Sequence, residues 1–329
     1  MYRVAIIGCG GIARAHAGGY ADVPNCRIVA AADINAEALT GFCEQFAIPG
    51  RYADYETMLA EERPDLVSVC TWPPLHPAPV IAAAKAGARG ILCEKPIALT
   101  LPEADAMLSA ATATGAVLII GHQRRFEPRY ALARERIAAG DIGALEEVQA
   151  NCAGDLVSDG THAIDLIRFL AGDLAVESVF AQIDLRPPNV PNTTRVGYGQ
   201  WQATGRRYGH EIEGGCLAQV RFAGGVRGLL RTGLAAPPVG YQRLRVFGDS
   251  GRIDISGDPR SGHPAFLRIW RQGDSDWQDM PLPAVNAFAA EIRALAGKHR
   301  PGHSPPARRS VSAWHPGNPA RRHGIGIPP

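Results

Sequence analysis

The strongest constraint on this chain lies in its first sixteen residues. Val4-Ala5-Ile6-Ile7 is an apolar run that stops at Gly8, and from Gly11 onward the pattern turns helical, so the segment reads as strand, tight turn and helix start. Gly8, Gly10 and Ala13 stand at the spacing G-x-G-x-x-G/A, with Gly11 and Ile12 inside the same turn. Each position has a steric reason. Gly8 permits the turn, Gly10 lets backbone approach a pyrophosphate, and Ala13 keeps the helix close to the strand, so that the helix N-terminus faces the anion. Asp33 stands 20 residues beyond Ala13, at the end of a second apolar run over 27–32. A carboxylate there suits the two hydroxyls of an adenosine ribose. The order of these features predicts a dinucleotide site, and NAD rather than NADP. Asp33 would repel a 2′-phosphate, and Ile34 and Asn35 offer no cation to offset it.

With 329 residues, 46% of them apolar, two domains are the natural expectation. No apolar run approaches the ~18 residues of a membrane span, and the first strand begins almost at Met1, so neither signal peptide nor anchor is expected and the cytoplasm is the expected location. The seven cysteines (9, 26, 43, 70, 93, 152, 216) are odd in number, widely spaced and without a C-x-x-C pair. That pattern fits neither a disulfide framework nor a zinc site, and no metal is expected. The net charge of +2 hides an imbalance: residues 298–329 hold Lys298 and five arginines but no acid, which leaves the body at −4 and argues against a nucleic-acid partner. Only Lys85, Lys95 and Lys298 are lysines, against 31 arginines, so each lysine is a small clue.

Along the chain, helices are expected over 35–46, 54–61 and 77–86, with strands over 66–70, 90–93 and 116–121. Thr100 and Glu103 frame a capping box for a further helix ending near 113. Alternating strands and helices imply a doubly wound parallel sheet over residues 1–122, with its ligand crevice at the carboxyl ends of the strands, where Gly8, Asp33, Thr71 and Lys95 all fall. Residues 123–297 change character. Helices over 129–139 and 161–170 and strands over 145–152, 176–185, 215–222, 226–232, 241–247, 251–255 and 266–271 read as an α+β domain with a mostly antiparallel open sheet. Such a sheet covers one face with helices and leaves the other for a neighbour, so a homodimer or homotetramer through this sheet is expected. Residues 186–209 read as a long loop and candidate lid, with Trp201, Tyr208 and His210 in or beside it. Residues 298–329, with seven prolines, read as a basic, loosely attached tail. Within it Ala307-Arg308-Arg309-Ser310-Val311 looks like the start of a lost helix, as a shift in reading frame would leave.

Four motifs carry a resemblance: Gly8-Cys9-Gly10-Gly11-Ile12-Ala13, Thr71-Trp72-Pro73-Pro74-Leu75-His76, Cys93-Glu94-Lys95-Pro96 and Asp159-Gly160-Thr161-His162-Ala163-Ile164-Asp165. Together they resemble the glucose-fructose oxidoreductase and inositol dehydrogenase family (Gfo/Idh/MocA) over residues 3–297. The likeness implies an N-terminal Rossmann domain, a C-terminal substrate domain, and reversible NAD(P)-dependent oxidation of a hydroxyl on a sugar or cyclitol. The chain departs from the family pattern in two places. Many members carry an aspartate four residues before the histidine; here that position is Ser158, with Asp159 one step closer. The family also ends in a helix and a last strand, which the sequence after Gly297 does not suggest.

On this reading Lys95, a compact titratable cation at a strand end, holds the substrate oxygen. His162 takes the hydroxyl proton, and Asp165, at i+3 on the same helix face, or Asp159 orients the ring. Thr71, Trp72, Pro73, Glu94 and Gln123 line the cofactor side, where His76 beside Pro77 also reads as a structural residue. Arg124 and Arg125, at the domain junction, read equally as ligand contacts or as a salt bridge. Two alternatives share the motifs: a family member that uses bound NAD transiently for elimination or epimerisation, and a non-catalytic NAD-binding sensor, which would need neither Lys95 nor His162.

Overall fold

The protein is described from a computed structural model over residues 1–184, 206–207, 210–233, 242–258 and 263–297. The tail, Trp201, Tyr208 and most of the loop expected over 186–209 lie outside the described residues. Of His210 only the backbone is described.

The first half is a six-stranded parallel sheet of β1 (Tyr2–Ile7), β2 (Cys26–Ala32), β3 (Gly50–Tyr52), β4 (Leu66–Val69), β5 (Gly90–Cys93) and β6 (Val117–Ile120), in the order β3-β2-β1-β4-β5-β6. The order reverses beside β1, the switch point at which doubly wound sheets open a ligand crevice. Helices α1 (Gly11–Ala21), α2 (Ala36–Gln45), α3 (Tyr55–Glu62), α4 (Pro77–Lys85) and α5 (Leu101–Thr114) connect the strands. Their starts are local chemistry. Asn35 and Asp54 cap α2 and α3, and Thr100 and Glu103 close the expected capping box on α5. Strand β3 was not expected, because Gly-Arg-Tyr offers no apolar run. It exists through its pairing with β2.

The second half packs α6 (Pro128–Ala138) and α7 (Thr161–Leu170) on an eight-stranded sheet. Its strands are β7 (Leu145–Cys152), β8 (Val176–Asp184), β11 (Gly215–Phe222), β12 (Arg227–Arg231), β13 (Gln242–Gly248), β14 (Gly251–Asp258), β15 (His263–Arg271) and β16 (Gln278–Asp279). The order is β16-β15-β14-β13-β7-β12-β11-β8, antiparallel except between β12 and β7. A separate ribbon pairs β9 (Arg206–Arg207) with β10 (His210–Glu211). By register, Arg221, Arg227, Arg231, Arg243, Arg245, Arg252 and Arg268 share the sheet face away from the helices with Glu147, Asp184, Asp254 and Asp279 among the described residues. The negative charge of the body therefore does not extend to this face. Asp254 is satisfied there by Arg243 at 2.6 Å and Arg268 at 2.8 Å.

Helix α8 (Ala287–Gly297), which the sequence reading did not name, returns to the first half. Ala289, Ile292, Leu295 and Ala296 complete the core on the α1 side of the parallel sheet. Gly19 makes the docking possible, since a Cβ there would lie 2.9 Å from Phe288 Cβ and from Ile292 Cδ1. Asn286 and Arg293 bond to Asp22 at 2.7 and 2.9 Å, and Tyr2 donates to the Ala296 carbonyl. Because Ile292 is fully buried in this core, Ile292→Ala should destabilise the protein by about 2–5 kcal/mol in urea unfolding. A change within experimental error would mean that α8 is dispensable to the first half.

Candidate active site

Three turns at the carboxyl ends of the parallel strands form the crevice. In the first, Gly8 has φ +90°, and a Cβ on it would meet the carbonyl carbon and oxygen of Cys70 at 2.9 Å, so the turn passes over the end of β4 only as glycine. A Cβ on Gly10 or Gly11 would meet nothing within 4 Å, and no side chain caps the N-terminal amides of α1. An open glycine face in front of unsatisfied N–H groups and the positive end of a helix dipole fits a pyrophosphate. Ala13 is fully buried under the turn, as the spacing requires, while Ile12 is half-buried. After β2, Asp33 accepts the Cys9 amide at 2.7 Å and the Asn35 amide at 2.8 Å. Its carboxylate is thus fixed beside the turn, with Ile34 (92% exposed) the next residue.

The second turn runs from Thr71 and the exposed Trp72 into a 3-10 turn, Pro73–Leu75; the third is Glu94-Lys95-Pro96, with a cis peptide before the proline. His76 is fully buried between them, its Nδ1 2.8 Å from the Pro96 carbonyl and its Nε2 3.0 Å from the Thr71 carbonyl. The structure places His76 as a bridge between the two turns. Glu94 points inward. Its Oε1 lies 2.9 Å from Nε2 of the fully buried His16, and its Oε2 accepts the Lys95 amide at 3.1 Å. Gln123 opens a 3-10 turn, Gln123–Phe126, after β6.

The opposite wall comes from the second half. Asp155 caps a single π-helical turn, Leu156–Gly160, that leads directly into α7. A π turn holds one more residue than an α turn, and this one lies where Asp159 stands one step closer to the histidine than the family pattern implies. Asp159 is buried against Gly154, whose φ is +104°; a Cβ on that glycine would collide with Asp159 Oδ2. His162 lies in the first turn of α7, 5% exposed, with its ring 5.6 Å from that of His122 in an edge-to-face arrangement. Lys95 spans the two walls: its Nζ donates to the Ser158 carbonyl at 2.8 Å.

Asp165 shares a helix with His162, but both of its oxygens accept from Arg125, each at 2.7 Å. The guanidinium at the end of β6 reaches α7 and also pairs with Asp173 at 3.1 Å. The two junction arginines therefore bind protein: Arg125 takes these aspartates and Arg124 donates to Gln242. Three titratable groups of the site were missed from sequence, namely His16, His122 and Glu291. Glu291, 1% exposed on α8, had a readable signal as a lone acid within the otherwise apolar stretch 287–292. Burial, with the Glu94 and Asp165 carboxylates nearby, pushes its pKa well above the usual carboxylate range. Burial likewise holds His122 below its ordinary value.

A parallel sheet with a glycine-turn crevice, joined to a second open sheet whose covering helix α7 supplies a histidine, defines the class of two-domain Rossmann oxidoreductases. The chain belongs to the GFO/IDH/MocA family: residues 2–122 match its NAD-binding Rossmann domain and residues 130–254 its C-terminal domain. A myo-inositol 2-dehydrogenase of Thermotoga maritima is 27% identical, over 90% of this chain and 91% of its own length. A D-apiose dehydrogenase of Paraburkholderia graminis is 33% identical over 190 residues, which span 53% of this chain and half (50%) of that relative. The fold is that of a levoglucosan dehydrogenase solved with NADH, with TM-score 0.75, 21% identity and coverage of 90% of this chain and 89% of the other. No helix among the described residues is long and apolar enough to cross a membrane.

The His16 pair makes stability depend on pH. Burial alone would lower the pKa of the ring, yet hydrogen bonds and charge from Cys70 and Glu94 push it up to about 10. Burial keeps Cys70 a thiol, so at neutral pH the counter-charge is Glu94. A raised folded-state pKa means that the stabilisation is fully present below about 6.5, the value of a free imidazole, and is lost as pH climbs toward 10. The difference in urea midpoint between the native protein and His16→Asn should therefore shrink steadily from pH 6.5 to 10. A constant difference would contradict a charged His16.

Proposed function

We propose that the protein is an NAD-dependent dehydrogenase that oxidises a hydroxyl of a sugar, cyclitol or sugar derivative. The observation that carries this reading is the reach of Lys95 from the parallel sheet to the Ser158 carbonyl, four residues before His162, which brings the two candidate reactive groups to one crevice from separate halves of the chain. The names of the relatives, which are dehydrogenases of myo-inositol, D-apiose and a D-glucoside, support the substrate class.

The bound nicotinamide would supply the hydride acceptor. Residues of this chain do the rest. His162 takes the hydroxyl proton as hydride leaves the same carbon, a task suited to a group whose ordinary pKa lies near neutrality. Lys95, with three N–H donors, keeps its bond to Ser158 and offers another to the substrate oxygen, opposing the negative charge that grows there. Asp159, or Asp165 shared with Arg125, fixes the ring. His122, kept uncharged by burial, places no second cation against it. Thr71, Trp72, Pro73 and Gln123 wall the cofactor side of the crevice.

We take the cofactor to be NAD rather than NADP, on the support of Asp33 held in place by two amides and followed by the uncharged Ile34 and Asn35. We take the macromolecular partner to be a second copy meeting the open sheet, since on that face the edge strand β8 exposes Phe180 and the adjacent strand exposes Leu217. The free thiols of all seven cysteines suit the reducing cytoplasm.

A panel of sugars, cyclitols and sugar acids, followed by NADH absorbance, should identify a substrate. On it, His162→Ala and Lys95→Ala should each lower turnover by roughly 10²–10⁴ while NADH still binds. If both variants keep near-native turnover, the enzyme reading fails and the sensor reading replaces it. In parallel titrations the unaltered protein should bind NADH more tightly than NADPH, and Asp33→Ala should narrow that gap. Equal or tighter NADPH binding by the unaltered protein rules out the assignment.

A further inference from the structure

A buried polar chain runs beneath the three turns and has no part in the reaction just described. His16 lies on the α1 face turned toward the sheet, with its Nδ1 3.2 Å from Ser68 Oγ on β4 and its Nε2 2.9 Å from Glu94 Oε1. Ser68 Oγ is also 2.9 Å from Tyr20 Oη, one turn further along α1. From the other side, the Phe288 ring of α8 covers the imidazole at a centroid distance of 5.6 Å. Behind Glu94, a Cβ on Gly121 would come within 3.0 Å of Oε1. The carboxylate is thus closed in on every side, and its second oxygen holds the Lys95 backbone amide at 3.1 Å.

We propose that His16 is a positioning residue for Lys95. Two buried histidines clamp the residues that flank the lysine. His16 fixes Glu94 before it, and His76, through the Pro96 carbonyl, fixes the residue after it. The consequence is geometric. His16 belongs to the helix whose N-terminus receives the pyrophosphate, so the His16–Glu94 contact sets the distance between the cofactor anchor and the Lys95 backbone, from which the ammonium extends to Ser158. A displacement of about 1 Å in a reacting geometry can cost on the order of 10² in rate, so a tether of this kind has kinetic weight. The residue that does this work is neither in the crevice nor in contact with a ligand. The inference rests on the dehydrogenase reading and extends it to a buried residue.

The test exploits the scarcity of lysine. His16→Asn combined with Glu94→Gln removes the tether without leaving an unpaired buried charge; His16→Gln is a milder second variant, read in the same way. With Lys95 intact, kcat on the best substrate of the panel should fall roughly 10–100-fold, while the NADH dissociation constant, read by fluorescence, stays unchanged. In a Lys95→Ala background the same change should add almost nothing, because a residue that acts through the lysine has nothing left to position. Acetic anhydride labelling of the NAD-free protein, with the exposed Lys85 as internal reference, should show Lys95 several-fold more reactive in the tether variants. An equal fall in kcat with and without Lys95, or an unchanged labelling ratio, overturns the proposal. If Lys95→Ala by itself leaves kcat near native, it is the dehydrogenase reading that falls.

Discussion

A carboxylate as buried as Glu94 must find a cation or keep its proton, and much of the first half is arranged around that requirement. Burial pushes its pKa up, but the hydrogen bond and charge of His16 bring it below the ordinary value, so it remains ionised. The helix after the first strand, the fourth strand, the turn after the fifth, the end of the sixth and the last described helix all contribute an atom to this pair or to its enclosure. Glu291 shows the limit of the arrangement. Burial beside the Glu94 and Asp165 carboxylates drives Glu291 toward its protonated form, while Glu94, bonded to His16, ionises. Removing His16 alone would leave the Glu94 charge uncompensated beneath the crevice.

The first half was legible from sequence because its signals are local. The glycine spacing, the apolar runs and the Thr100–Glu103 box each act within a few residues, and each formed where expected. The short third strand was illegible, since only pairing with its neighbour makes Gly50–Tyr52 extended. In the second half, strand positions followed from alternation, but strand order did not, because register is chosen by long-range contacts that no window contains. The candidate residues divided similarly. Gly8, Asp33, Lys95 and His162 announce themselves by spacing. His16 sat in plain view in the opening motif, but its partner lies 78 residues away, and the i+3 spacing of Asp165 gave no sign that Arg125 would engage both of its oxygens.

The π turn ahead of the seventh helix shows how a small offset in sequence is absorbed. Rather than shifting the helix, the chain takes up a residue in one widened turn, and His162 stays in the first turn of α7 beneath the span of Lys95. The widened turn also turns the Ser158 carbonyl toward the lysine. Ser158, which stands at the sequence position where the resemblance implies an aspartate, meets Lys95 through its backbone carbonyl.

The return of the last described helix to the first sheet also fixes an order of events in synthesis. Residues 1–122 contain every strand of that sheet, yet the side of its core facing α1 stays open to water until Ile292 and its neighbours arrive. At roughly 5–20 residues per second, a ribosome spends on the order of ten seconds or more on residues 123–286 before the closing helix emerges. Throughout that interval the nascent chain carries a formed glycine turn above an unsealed apolar face and an imidazole that Phe288 has yet to cover. The glycine turn leaves the ribosome well before the helix that closes the core beneath it.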